Sequence, residues 1–143
     1  MKFFSGLNVW ALPLAAAVSF VFGGIWYGVL SRQWMAAVGK SEAELKATGR
    51  SMTGLFVVTF LAQLLMAWVL AGTILHLTRG GIAATVTNGL ITGAFCWLGF
   101  VVTTLAVNHG YQGARRSLTV IDGGYWLGVL LIQGAILGRF GIA

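Results

Sequence analysis

Residues 52–77, MTGLFVVTFLAQLLMAWVLAGTILHL, contain no charged side chain and show no alternation of apolar and polar residues. The hydrocarbon core of a bilayer is about 30 Å thick, and an α-helix of ~20 mostly apolar residues crosses it. A strand of a membrane β-barrel would instead alternate over about ten residues. This stretch therefore predicts a membrane-spanning α-helix.

Three further stretches of the same kind are residues 9–30, 82–107 and 118–137. Only 8% of the chain is charged, whereas a soluble domain carries about 25% charged residues. This composition excludes an ordinary soluble domain, a disordered chain and a polar nucleic-acid-binding module. We expect a single transmembrane domain over residues 1–143, an all-α bundle of four transmembrane helices in the lipid bilayer.

The first stretch has an alternative interpretation as a cleaved signal peptide, because Lys2 precedes an apolar run that contains Ala15-Ala16-Ala17. The apolar region of a signal peptide is about 7–15 residues long. Here the apolar run continues to Leu30 and includes Trp26-Tyr27 near its end. Aromatic residues of this kind are typical of a membrane interface, so we expect a retained span.

The link between the first two spans, residues 31–51, is the only long polar segment. Ser41-Glu42-Ala43-Glu44 has the spacing of a capping box and predicts a short helix from Glu42 to Thr48, with Gly49 placed to end it. The preceding residues 34–38 predict a short amphipathic turn in the membrane interface.

Positive charges on the links predict the orientation of the bundle. Four spans place links one and three on one side, and these carry six cations: Arg32, Lys40, Lys46, Arg50, Arg115 and Arg116. The opposite side carries three: Lys2, Arg79 and Arg139. The positive-inside rule then predicts cytoplasmic links one and three, with both termini outside. The basic balance indicates lipid headgroup contact and not nucleic-acid binding.

Three G-x-x-x-G pairs lie within the spans, and such pairs allow two helix backbones to approach closely. They are Gly24 with Gly28, Gly89 with Gly93, and Gly124 with Gly128. The spacing predicts tight helix packing but leaves the partner open, either a helix of the same chain or a second copy in a homo-oligomer.

Asp122 is the only acidic residue within a span, and a charge near the bilayer centre costs at least about 2.5–3.5 kcal/mol. One interpretation is a structural clamp to Arg115, Arg116 or His109; another is an ion or proton site; a third is a helix cap before Gly123. Gln133 follows Asp122 by eleven positions, which places both on one face about 16 Å apart. Because lipid would penalise these groups, we expect this polar seam to face protein or a wet cavity, with the fourth span central.

Asn108 joins His109 and the two arginines as a polar candidate beside this seam. The single cysteine, Cys96, permits no internal disulfide and lies within the third span. We find no spacing typical of a metal site and no catalytic motif. The sequence thus predicts no metal, no cofactor and no catalytic residue.

Several local patterns, taken in order, are similar to a known bacterial membrane family. They are Trp26-Tyr27, Trp34-Met35, Ser41-Glu42-Ala43-Glu44-Leu45, Trp97-Leu98-Gly99-Phe100, Asn108-His109 and Ile121-Asp122-Gly123-Gly124-Tyr125. Through these patterns the chain resembles the family of domain of unknown function 1761, over about residues 6–137. Members commonly have a proline shortly after the Trp-Tyr pair, where this chain has Val29-Leu30. The resemblance implies a four-helix integral membrane protein of the bacterial inner membrane and implies no activity.

Two functions remain open from the sequence. The first is a small channel- or transporter-like bundle in which the polar seam of the fourth helix lines a path. The second is a structural or accessory subunit that packs against another membrane protein or lipid. An intramembrane enzyme is a distant alternative that no motif supports.

Overall fold

The structure, a computed structural model, describes residues 5–143, so Lys2 of the charge count lies outside the described residues. The chain is all-α, and its described part contains four helical rods long and apolar enough to cross a membrane. These are α1 (Ala11–Val29), α4 (Met52–Arg79), a third rod over Val86–Tyr111, and α7 (Arg116–Phe140). Each predicted span corresponds to one of these rods, with ends that differ by at most four residues.

The first link forms two short helices, α2 (Ser31–Val38) and α3 (Glu42–Ala47). Gly39, with φ +77°, ends α2 in a left-handed conformation that glycine adopts without strain. The predicted capping box is present at α3: the Ser41 hydroxyl accepts the Glu44 N–H, and the Glu44 carboxylate accepts the Ser41 N–H. α2 thus extends the expected amphipathic turn to a full helix and packs against α7.

The third rod is not one continuous α-helix. It consists of α5 (Val86–Cys96), a π-helical turn at Trp97–Val101, and α6 (Val102–Tyr111). The rod begins at Val86 because Thr85 caps it, its hydroxyl accepting the Asn88 N–H. Short π turns inside α-helices often occur at functional sites, and this one faces α7 beside Asp122, as described below.

α7 lies at the centre of the bundle and contacts α1, α4, α5 and α6. Its contact with α5 is the closest, since carbonyl oxygens meet glycines that have no side chain. A Cβ built at Gly89 would overlap the carbonyl oxygen of Gly134, and one at Gly93 would overlap that of Leu130. Close backbone contact of this kind supplies the dispersion energy that holds membrane helices together.

The two ends of the described chain meet at one end of the bundle. Leu7 and Ile142 form an isolated antiparallel bridge, and the Asn8 N–H donates to the Gly141 carbonyl at 2.9 Å. An even number of spans places both ends of the described chain on the same side of the bundle. An apolar cluster packs next to it, between the termini and the middle of the bundle; its members include Ala11, Leu12, Ala71, Ile74 and Leu137.

Candidate functional site

Asp122 lies at the start of the site, in the second turn of α7. Its Oδ1 accepts a hydrogen bond from the Tyr27 hydroxyl of α1 at 2.8 Å. Its Oδ2 lies 4.0 Å from Nε2 of His109 on α6, and the two side chains are 20% and 12% exposed. The carboxylate is therefore held between two helices and retains a small accessible surface.

His109 is held from its other ring nitrogen. Nδ1 lies 2.9 Å from the Thr119 hydroxyl of α7. When that hydroxyl donates to Nδ1, the proton of the neutral ring is on Nε2 and faces Asp122. The arrangement thus places the His109 imidazole beside the carboxylate.

The other predicted partners of Asp122 lie elsewhere. The Arg115 guanidinium donates to the carbonyl oxygen of Ala36 in α2, and Arg116 is exposed at the first position of α7. Asn108 is also exposed. Among the residues that the structure describes, His109 is the only cation-forming side chain within 4.0 Å of Asp122. Arg115 instead fastens the third link to α2.

Two indole groups surround Asp122 on the α7 backbone. The Trp26 N–H donates to the Ile121 carbonyl at 3.1 Å, and the Trp97 N–H, from the π turn, donates to the Gly123 carbonyl at 2.8 Å. From the sequence, Trp26-Tyr27 is expected at the membrane interface, and these contacts are not predicted. The available signal was chemical, since buried indole and phenol groups usually find a hydrogen-bond partner.

A ring contact and two hydrogen bonds lead from Tyr27 into the core. The rings of Tyr27 and Tyr125 lie 5.0 Å apart between centroids. The Gln63 side-chain amide of α4 donates to the Tyr125 hydroxyl at 2.7 Å, and the Gln133 amide donates to the Gln63 backbone carbonyl at 3.0 Å. Both glutamines are fully buried. Asp122 and Gln133 thus face protein, and Tyr125 and Gln63 lie between them. The structure therefore adds three residues to the predicted seam, and from here on the polar seam comprises Asp122, Tyr27, Tyr125, Gln63 and Gln133.

The three glycine pairs differ in their surroundings. Gly89 and Gly93 lie against the α7 backbone, while Gly124 and Gly128 lie against the rings of Trp26 and Phe22. Gly24 and Gly28 are exposed, and a Cβ at either would meet no atom within 4 Å. No helix among residues 5–143 covers the Gly24–Gly28 face, because α1 packs through its opposite face, which includes Gly23.

The site offers few ligands for a metal. Among residues 5–143, no three His, Cys, Asp or Glu side chains lie together, and Asp122 with His109 supplies two ligands. Catalytic zinc sites use three protein ligands. The chemistry available to this pair is proton exchange and hydrogen bonding to a small polar or cationic species.

Comparison with known proteins gives a family. Residues 10–138 match the family model described as protein of unknown function DUF1761. The chain belongs to this family. No curated protein matches the chain, and no solved structure matches it. Membership in DUF1761 assigns no activity, so the activity is inferred from the polar seam.

Proposed function

We propose that this DUF1761 protein is a small transporter- or channel-like bundle in which Asp122 takes up and releases a proton or a small cation. The observation that carries the proposal is the placement of the one acid in the described spans. Asp122 contacts Tyr27 at 2.8 Å and lies 4.0 Å from His109. A titratable pair within a membrane segment is a costly feature, and such pairs commonly mark ion or proton pathways.

The shape of the polar seam supports transport more than a simple clamp. A clamp needs only Asp122 and one partner near the interface. Here polar contacts extend through Tyr125 and Gln63 to Gln133, which lies about 25 Å along α7 from Arg116. The apolar cluster then closes the end beside the termini. The Asp122 side chain, near links one and three, keeps 20% of its surface accessible, whereas Gln63 and Gln133 are fully buried, and this asymmetry supports a gated path.

The test is flux through the purified protein in proteoliposomes. We expect Asp122→Asn, which keeps an oxygen for Tyr27 but cannot ionise, to abolish flux of protons or monovalent cations or to remove its pH dependence. Glu42→Gln is the matched control, because Glu42 is an exposed acid outside the spans. Unchanged flux in a correctly folded Asp122→Asn protein would contradict the proposal.

A second candidate is an accessory subunit that packs against another membrane protein or lipid. The exposed Gly24–Gly28 face supports it, since no described residue covers that face. The same face could pair two copies in a homo-oligomer. Purification from native membranes at native expression distinguishes these cases: a co-purifying chain lost in Gly28→Leu supports a subunit, and recovery of this chain alone opposes it.

The proposal includes an orientation in the bacterial inner membrane. Links one and three carry six of the nine cations, and a cytoplasmic location for them follows the positive-inside rule. The end of the polar seam that contains Asp122 would then face the cytoplasm, and both termini would lie outside.

A further inference from the structure

Three oxygen atoms in the middle of the bundle have no hydrogen-bond partner among the described residues. They are Ser19 Oγ on α1, Gln63 Oε1 on α4 and Gln133 Oε1 on α7. All three residues are 0% exposed. Buried polar atoms are nearly always satisfied by protein or by ordered water, so three such atoms in one core require an explanation.

Exchange of the amide atoms does not remove the need. The Gln133 amide is fixed, because its nitrogen donates to the Gln63 backbone carbonyl and an oxygen there would be repelled. The Gln63 amide can turn over, with the Tyr125 hydroxyl then donating to it, but this leaves its nitrogen unpaired instead. In either orientation of the Gln63 amide, at least two acceptor oxygens and one further polar atom have no partner among the described residues.

The three atoms belong to the same region of the polar seam. Gln63 and Gln133 are joined directly, and the Gln63 amide lies 2.7 Å from the Tyr125 hydroxyl. A Cβ at Gly23 would lie 3.2 Å from that hydroxyl, and Ser19 precedes Gly23 by one helical turn on the same buried face of α1. Three helices therefore contribute unpaired polar atoms to the buried core of the bundle, and one of these residues, Gln63, is hydrogen-bonded to Tyr125.

We propose that water molecules bind at Ser19, Gln63 and Gln133, and that the species carried by the polar seam is a proton. The inference rests on the proposed function and names its transported species. Water donates to acceptor oxygens, and folded proteins hold about one buried water per 27 residues. Bound water would extend the hydrogen bonds of Tyr125, Gln63 and Gln133 towards Tyr27 and Asp122, which the ring contact of Tyr27 with Tyr125 places next to them.

A proton fits this path better than a metal cation. The ligands around Tyr125 are neutral hydroxyl and amide groups, and the carboxylate of Asp122 already accepts from Tyr27. A dehydrated metal ion in such a core would lack a countercharge. An excess proton moves by exchange of hydrogen bonds between neighbouring waters and needs neither a wide pore nor an anionic cage.

The first experiment detects the water directly in the full-length protein in lipid bilayers. The chain has four glutamines, and Gln33 and Gln112 are exposed. Water-edited solid-state NMR on protein labelled with ¹⁵N at glutamine side chains should show transfer from water to all four amides. Gln33→Glu and Gln112→Glu assign the exposed pair. Transfer confined to Gln33 and Gln112 would overturn the inference.

The second experiment separates the transported species from transport itself. Proteoliposomes report internal pH and internal Na⁺ or K⁺, and we expect only pH to respond. Gln133→Leu should lower the proton flux at least tenfold, while Thr103→Val, an exposed hydroxyl on α6, should leave it unchanged. Flux of Na⁺ or K⁺, or an unchanged proton flux in folded Gln133→Leu, overturns the inference while the proposed function stands. Absence of any Asp122-dependent flux overturns the proposed function and the proton assignment together.

Discussion

Asp122 is tolerated inside a helix bundle because its surroundings supply donors on several sides. Tyr27 donates to one carboxylate oxygen, and His109 faces the other. The indoles of Trp26 and Trp97 donate to carbonyls on either side of it in α7. Hydrogen bonds to an ionised group are roughly twice as strong as neutral ones, so the Tyr27 bond offsets part of the cost of taking the carboxylate out of water, while the indole bonds fix the α7 backbone around it.

The hydroxyl of Tyr27 therefore contributes to stability as well as to the site. Tyr27→Phe should lower the free energy of unfolding by about 1–2 kcal/mol, above the ~0.6 kcal/mol average for interhelical bonds, because the acceptor is a carboxylate. Tyr111→Phe is the control, since Tyr111 is 93% exposed. Reversible unfolding in mixed micelles measures both, and equal stabilities of the two variants would count against the hydrogen bond.

At the scale of residues, the sequence predicts which groups are costly but not all of their partners. Asp122 and Gln133 stand out because they are polar in apolar spans, and their shared face follows from helical geometry. Tyr27 and Gln63 could not be assigned to them, since such contacts depend on how α1 and α4 are rotated and shifted against α7. Of the three alternative clamp partners, Arg115, Arg116 and His109, only His109 lies within 4.0 Å of Asp122 among the described residues, and Arg115 reaches α2 instead.

At the scale of elements, glycine spacing predicts the possibility of close packing and the structure shows where it occurs. Gly89 and Gly93 lie against α7, whereas Gly24 and Gly28 have the same spacing but no neighbour within 4 Å of a built Cβ in the part of the chain that the structure describes. The spacing alone cannot distinguish them, because it records a smooth helix surface and not what covers that surface.

Alanine at these positions should act in opposite ways. Gly89→Ala places a Cβ on a backbone carbonyl of α7 that cannot rotate away, and overpacking of this kind costs about 1–3 kcal/mol. Gly28→Ala should leave stability unchanged or raise it slightly, because alanine favours helix over glycine. Thermal unfolding in detergent compares the two. Equal losses would show that the close contact of α5 with α7 is not what distinguishes Gly89.

The capping box of α3 predicts a pH dependence outside the membrane. The Ser41 backbone N–H, then its hydroxyl, lower the pKa of Glu44 from the ordinary 4.5. A lowered pKa in the folded state means that the cap contributes fully above pH 4.5 and is lost as pH falls through the lowered value. ¹³Cα shifts of α3 should therefore move towards coil values below pH 4.5.

The matched variant for this titration is Glu44→Gln. Glutamine also serves in a capping box but carries no charge, so its α3 should keep its helical shifts with a weaker pH dependence. The pKa of Glu42 is lowered as well, by Lys46, and Glu42→Gln separates that contribution. An identical acid transition in Glu44→Gln would contradict the assignment to the cap.

At the scale of the whole molecule, the four rods share one central helix. α7 runs antiparallel to α1 and α5 and carries both the close backbone contacts and the polar seam. The sequence predicts the number of spans and the central position of the fourth. The composition of a span, and the free-energy cost of placing its polar side chains in lipid, depend little on the neighbouring helices. It does not predict the interruption of the third rod, since the π turn at Trp97–Val101 depends on tertiary contacts such as the Trp97–Gly123 bond.

The orientation of this molecule is testable with its single cysteine. In a Cys96→Ser background, Ser41→Cys reports on link one, and Ala143→Cys reports on the end of the bundle where Leu7 and Ile142 form their bridge. An impermeant maleimide should label Ala143→Cys in intact spheroplasts and Ser41→Cys only after permeabilisation, because six of nine cations lie on links one and three, which the positive-inside rule predicts to be cytoplasmic. The reverse pattern would invert the proposed orientation and leave four spans intact. Labelling of both positions from the same side would contradict the four-span fold itself, since an odd number of crossings separates Ser41 from Ala143.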